Sequence, residues 1–199
     1  MSLVSQIRPA LVITILLTLL LGVAYPLAVT GVAQLAFPRQ AQGSLVRDAK
    51  GQVIGSTLIA QGFAKPEYLH PRPSAAGNDG YDASGSSGSN LGPLNPDLGK
   101  RIAKDADALR KAGAGGDIPA DALTTSGSGL DPAVSPANAR MQAGRIASAR
   151  GVPEAVVQRI IDAHTQQPAL GFLGQPAVNV LQVNLALDEA APKDHPPAS

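Results

Sequence analysis

The side chains that could do chemistry in this chain are few and poorly grouped. Its three histidines, His70, His164 and His195, stand far apart, with no pair at the helical i,i+4 spacing of a metal site. Asp105 and Asp107 point from different faces of a helical stretch and read as solvated. Ser126-Gly127-Ser128-Gly129 is rich in hydroxyls but is not G-x-S-x-G, so the elbow that presents a serine nucleophile is missing. The Gly- and Ser-rich stretch from Gly77 to Gly92 has the composition of a phosphate loop, yet no GxxxxGK[ST] follows it. There is no cysteine, hence no disulfide staple and no thiolate metal site. A membrane-anchored exported hydrolase would have to use Ser128 or His70, and the absent elbow and unpaired histidines speak against it.

What stands out instead is polar loop sequence. The first loop carries YLHPRPSA (68–75) and SSGSNLGP (86–93); the second is TSGSGLDP (125–132), running into a helix at Pro136. One reading makes these turns, with Gly and Pro supplying special dihedrals. The other makes Arg72, Asn90 and the Ser126–Asp131 segment binding elements, polar groups beside Gly-permitted backbone. Arg72 is the candidate anchor, because a planar guanidinium can hold a carboxylate bidentately. A generic tethered module that grips a protein or cell-wall ligand with these loops is the third functional class.

The elements that would position these loops follow from the rest of the sequence. From Ala10 to Phe37 there is no charged residue, which exceeds the ~20 apolar residues that a spanning helix needs. A cleaved signal core is about 7–15 residues. Gly31-Val32-Ala33 could serve as a cleavage site, but the length favours a retained anchor. As a signal-anchor it places the N-terminus inside and the C-terminal domain outside. Ala10, Thr14, Thr18 and Gly22, four residues apart, form a small and polar face suited to a partner helix. Pro9 is expected in the first helical turn, and Pro26 is expected to kink or end the regular helix.

About 160 residues follow the anchor, enough for one domain. A net charge of +1 gives nucleic-acid binding no electrostatic support. Aromatics are only 3 % of the chain, so the core must be aliphatic. Ser44–Arg47 and Gln52–Ile54 flank a turn at 48–51 and predict a hairpin, which Thr57–Ala60 could extend. The stretch from Lys65 to Pro93 is long for a loop in a compact domain, and such loops are functional or disordered. Asn95, Pro96 and Asp97 open a helix that carries Leu98, Ile102, Ala106 and Leu109 and ends at Gly113. Ser135-Pro136 opens a second, to Gly151; Pro153 opens a third, which Pro168 stops. Val178–Leu187 reads as the best strand, with a flip in apolar phase that suggests a bulge near Val180 or a strand buried on both faces. The expected class is α+β: one N-terminal transmembrane helix (1–38), one mixed α/β domain of about three helices and a small sheet (39–188), and a disordered tail (189–199).

Taken in order, the anchor, Gln61-Gly62-Phe63, YLHPRPSA, SSGSNLGP, TSGSGLDP-x-x-S-P, Gln142 with Arg145, and VNVLQVNLALD closely resemble the C subunit of the bacterial potassium-transporting P-type ATPase, the Kdp complex. The family's YF is Tyr68-Leu69 in this chain, and Ala177 holds a place where the family usually has a basic residue. The resemblance implies a non-catalytic, single-span subunit of the inner membrane with a periplasmic domain. It implies assembly with a potassium-translocating subunit and an ATP-hydrolysing P-type subunit, and action as a catalytic chaperone that raises ATP affinity. No stably bound cofactor is implied, ATP being engaged through the complex. Ser126, Gly127, Ser128, Gly129 and Gln142 are the candidates for direct nucleotide contact. That contact would need the loops on the cytoplasmic side; with the loops outside, the effect on ATP must be allosteric, a coupling of typically 1–3 kcal/mol.

Overall fold

The structure, a computed structural model, describes residues 3–190. The chain divides between Leu45 and Val46 into two compact units. The first is a long apolar helix: α1 (Leu3–Leu19) runs through a π-helical turn (Leu20–Ala24) into α2 (Tyr25–Ala36). Ser5–Ala36 contains an 18-residue window of mean hydropathy 2.4 and is long and apolar enough to cross a membrane. At ~1.5 Å per residue its helix is about 48 Å long, more than a ~30 Å hydrocarbon core requires.

The π-turn marks where Pro26 acts. Proline has no N–H for the carbonyl four residues back, and its ring crowds that carbonyl. Widening the preceding turn accommodates both, and the Tyr25 N–H reaches Leu20 O, five residues away. Regular α geometry is thus interrupted before Pro26 and resumes at once. Pro9, expected in the first turn, lies inside α1, because that helix already starts at Leu3. Phe37, at φ −137°, ends α2, and Pro38 opens the short α3 (Pro38–Ala41).

The expected hairpin is present as β1 (Leu45–Arg47) and β2 (Val53–Ser56). Asp48 makes its turn by accepting from Lys50 N and Gln52 N at 2.9 and 2.8 Å. Thr57–Ala60 does not extend the sheet. The Ser56 hydroxyl accepts from Leu58 N and turns the chain away, and Ala60 N donates to Leu130 O instead.

The predicted helix starts hold because each has a cap. Asn95 accepts from Asp97 N ahead of α4 (Pro96–Lys111). After the short α5 (Ala120–Leu123) and β3 (Ala133–Val134), Ser135 accepts from Asn138 N to open α6 (Pro136–Arg150). Gly151, at φ +68°, closes α6 in the left-handed region that glycine favours. Pro153 precedes α7 (Glu154–Ala163). That helix stops well before Pro168: His164 folds its N–H and Nδ1 back on Ile160 O, and β4 (Thr165–Gln166) begins.

The largest correction concerns Val178–Leu187. Only β5 (Ala177–Asn179) is strand; it lies between β3 and β4, antiparallel to both, with Val178 opposite Val134 and Thr165. At Val180 the chain becomes α8 (Val180–Ala190). Asn179 Oδ1 accepts from Gln182 N at 3.1 Å and caps it. The buried set Val180, Val183, Asn184 and Leu187 follows helical spacing, so the apolar phase flip marks an element boundary rather than a bulge. α8 also takes in the first two residues of the expected tail; 191–199, with His195, lie outside the described residues.

Ala139, Ala143, Ile146 and Ala147 of α6, Val157 and Ile161 of α7, Val178 of β5 and Val180, Val183 and Leu187 of α8 form the aliphatic core. Leu69 joins them from the long segment 65–93, which has no helix or strand yet buries Glu67, Leu69 and Ala76. The architecture is α+β, a long apolar helix followed by mixed helices and small sheets.

Candidate functional site

The polar loops are held in place by side chains rather than by a β-ladder. Leu69 donates its N–H to Asn184 Oδ1 at 2.7 Å and accepts from Asn184 Nδ2 at 3.0 Å. His70 does the same with Gln142, N–H to Oε1 at 2.9 Å and Nε2 to carbonyl at 3.1 Å. Two amide side chains thus imitate the paired bonds of a neighbouring strand. Flanking them, Arg150 donates to Glu67 O and Leu187 O, and Arg145 donates to Pro66 O. Arg150 also pairs with Asp188 at 2.7 Å and lies over the Tyr68 ring, 5.1 Å from its centroid. Its side chain is 1 % exposed, so these partners carry a desolvated charge. Burial, then the adjacent Asp188 carboxylate, raises the Tyr68 pKa.

Gln142 ties this extended arm to the next layer. Its oxygen also accepts from Arg145 Nη2 at 2.7 Å, and its nitrogen also donates to Asn138 Oδ1 at 2.9 Å. Asn138 in turn donates to Asp121, which accepts from Ser135 N and Oγ at the start of α6. All four hydrogen-bonding positions of the Gln142 amide are therefore used within the chain. Gln142, expected as a nucleotide contact, is a buried brace of the arm in this conformation.

The two Gly-Ser loops close on each other. Ser87 N and Ser86 Oγ both donate to Ser128 O, at 2.9 and 3.1 Å, and Ser74 Oγ donates to Gly129 O at 2.6 Å. Ser74 Oγ accepts in turn from Tyr81 N at 2.8 Å. Gly129 is buried at φ +67°, where a Cβ would run into Ser87 O and lie 2.9 Å from Ala76 N. Ser128 Oγ accepts from Leu130 N, the bond of a serine turn, and lies 3.4 Å from Ser126 Oγ. A Cβ added at Gly127 would meet nothing within 4 Å. Asn90 is exposed at φ +54°, a conformation that Asn tolerates.

Arg72 finds its carboxylate within the chain. It pairs with Asp131 at 3.1 Å and donates to Thr124 O and Thr125 O, which fastens the first loop to the second. The fork expected for a partner's carboxylate is thus occupied internally. Of the anchor residues, Ala10, Thr14 and Thr18 are exposed on α1, and Gly22 is exposed within the π-turn. Asn184, Arg150 and Asp188 were missed in the sequence as parts of this system. Their signal was present: a polar residue on the apolar stripe of α8, and an arginine at the end of α6.

Among the described residues His70 and Ser128 do not come together as a catalytic pair. His70 Nε2 lies 2.9 Å from Lys65 O; a carbonyl only accepts, so that nitrogen carries the proton. Burial, and then the Arg145 charge, lower the His70 pKa against the opposing bond to Lys65 O. Ser128 is bonded to backbone and to Ser126, not to an imidazole. Among the described residues no group of three or more His, Asp or Glu could hold a metal ion. The arrangement can present a rigid polar surface and can hold charge at defined points.

Comparison with known proteins matches residues 7–189 to the family model KdpC, described as K+-transporting ATPase, c chain. A "Potassium-transporting ATPase KdpC subunit" from Caulobacter sp. (strain K31) is 69 % identical over 188 residues, 94 % of this chain and 95 % of the relative. The protein of the same name from Beijerinckia indica is 60 % identical over 195 residues, 97 % of this chain and 98 % of the relative. That from Geobacter sulfurreducens is 50 % identical over 188 residues, 94 % of this chain and the relative's whole length. With one spanning-length helix, a braced polar arm and these matches along nearly its whole length, the chain belongs to the KdpC family, the c chain of the K+-transporting ATPase.

Proposed function

We propose that the chain is a non-catalytic accessory subunit of an ATP-driven potassium uptake complex of the bacterial inner membrane. It assembles with a potassium-translocating subunit and an ATP-hydrolysing P-type subunit. The C-terminal unit lies on the periplasmic side and raises the ATP affinity of the hydrolysing subunit at a distance. The observation that carries this reading is the internal use of the polar groups. Gln142, Arg72 and Ser128 spend their main donors and acceptors on the chain's own backbone and side chains. A braced surface suits assembly, and coupling between distant sites needs no nucleotide on this chain.

The test is the ATP dependence of potassium-stimulated hydrolysis, with and without this chain. Removing the chain should raise the apparent KM for ATP by about 5-fold or more, the range of ordinary allosteric coupling. An unchanged KM would overturn the chaperone role. Alkaline phosphatase fused after Asp188 should be active in cells. A silent phosphatase at that site, with an active cytoplasmic reporter, would overturn the orientation and restore direct ATP contact.

A further inference from the structure

Three arginines brace the extended arm, and they differ in one respect. Arg72 has Asp131 at 3.1 Å and Arg150 has Asp188 at 2.7 Å. Arg145 has no ion pair among the described residues. It donates from Nη1 to Pro66 O and from Nη2 to Gln142 Oε1. A guanidinium has five N–H groups, so three remain without an acceptor among the described residues. Its other close neighbour, His70 Nε2 at 3.4 Å, carries a proton and cannot accept.

Arg145 lines an open groove of about 500 Å³ between the end of α4 and α6. Leu109, Gly113, Met141 and Ser148 form walls around it, and no residue lining the groove is acidic. Lys111, on the last turn of α4, adds positive charge beside it. Arg110 is neutralised by Asp107 at 3.5 Å. The α4 C-terminus supplies only the partial negative charge of a helix end. The Glu154 carboxylate, beside Gly144, accepts from Gln158 instead. Burial lowers the Arg145 pKa. A half-buried cation with free donors, aimed into an acid-free groove, is a site short of one carboxylate.

We propose that this groove receives an aspartate or glutamate side chain from another subunit of the same ATPase, held by the free edge of the Arg145 fork. A carboxylate matches that edge with parallel hydrogen bonds, and the apolar walls shelter the pair from water. The contact rests on the assembly reading above and adds to it the chemistry of one docking point. Binding also stiffens the arm, since Arg145 reaches both Pro66 and the Gln142 that grips His70.

The experiment uses the full chain in the assembled complex. Arg145→Gln should speed loss of the other subunits by about tenfold or more, the usual cost of removing one side of a sheltered charge pair. Arg145→Lys keeps the charge and should restore part of the retention. It also installs an amine that a carbodiimide can join to a touching carboxylate. Mass spectrometry should then find an amide between position 145 and an Asp or Glu of another subunit.

Equal retention of wild type and Arg145→Gln, or no such amide in the lysine variant, would overturn the inference while leaving assembly intact. Failure of the wild type to retain any other subunit would sink the assembly reading itself. Inorganic phosphate or ATP that stabilises the isolated full chain, but not Arg145→Gln, would assign the groove to a free phosphate and overturn the carboxylate. An equal loss of thermal stability in both variants would make Arg145 a structural brace alone.

Discussion

The C-terminal unit holds two neighbouring regions by opposite means. Where α6, α7 and α8 pack together the core side chains are aliphatic and the helical backbone bonds itself. Along the arm at 66–72 and the Gly-Ser loops, much of the backbone is bonded by Asn, Gln, Arg and Ser side chains. The helical region tolerates exchange of one apolar group for another of like volume. The arm does not, because each brace must offer a donor and an acceptor at fixed positions. The difference separates a scaffold that any aliphatic sequence of the right period could build from a surface that depends on single residues.

The comparison predicts a ranking. The largest loss should come from the scaffold. Ile146→Ala removes a fully buried side chain and should cost about 4 kcal/mol in thermal or denaturant unfolding of the full chain in detergent. Next is Gly129→Ala, where left-handed backbone and the clash with Ser87 O act together; about 3 kcal/mol is expected. Gly127→Ala, two residues away in open space, should change stability by less than about 1 kcal/mol. Equal effects of the two would show that the loops are not locked together. Asn184→Leu keeps the bulk but strands the Leu69 N–H and carbonyl, and should cost about 2 kcal/mol. A neutral Asn184→Leu would mean that the arm is held by packing of Leu69 alone.

The smallest effect concerns pH. The His70 pKa is lowered in the folded chain, so the unfolded chain binds the proton more readily. Stability from this group is complete above the ordinary histidine value of about 6.5 and declines as pH falls below it. Unfolding midpoints should drop modestly between about pH 7 and pH 5.5, and His70→Gln should flatten that slope. A midpoint that rises on acidification in this window would contradict the burial of a neutral imidazole.

The scaffold was largely legible in the sequence because its signals are local. Asn95 and Ser135 cap helices within three residues of themselves, and Gly151 closes one by its own dihedral. The failure at VNVLQVNLALD has a particular cause. Asn184 sits on the buried stripe of α8 because it serves Leu69, 115 residues away in sequence. A polar residue at that position hides the helical period and leaves Val178 and Val180 to suggest a strand. The arm was illegible for the same reason. Nothing near YLHPRPSA shows that its bonds go to α6 and α8. The sequence singled out Gly129 and Arg72 in the loops and Gln142 beyond them as binding groups, and the structure uses all three within the chain.

A segment without helix or strand is held in this chain as firmly as the helices that brace it. Hydrogen exchange at the Leu69 and His70 amides of the full chain tests it most directly, because both donate to side-chain amides. Protection should approach that of Ile146 and Ala147 in the α6 core, and Asn184→Leu should abolish it at Leu69. Exchange at Leu69 and His70 as fast as that of an exposed loop such as Gly113–Gly116, with α6 still protected, would mean that the side-chain braces do not hold the arm.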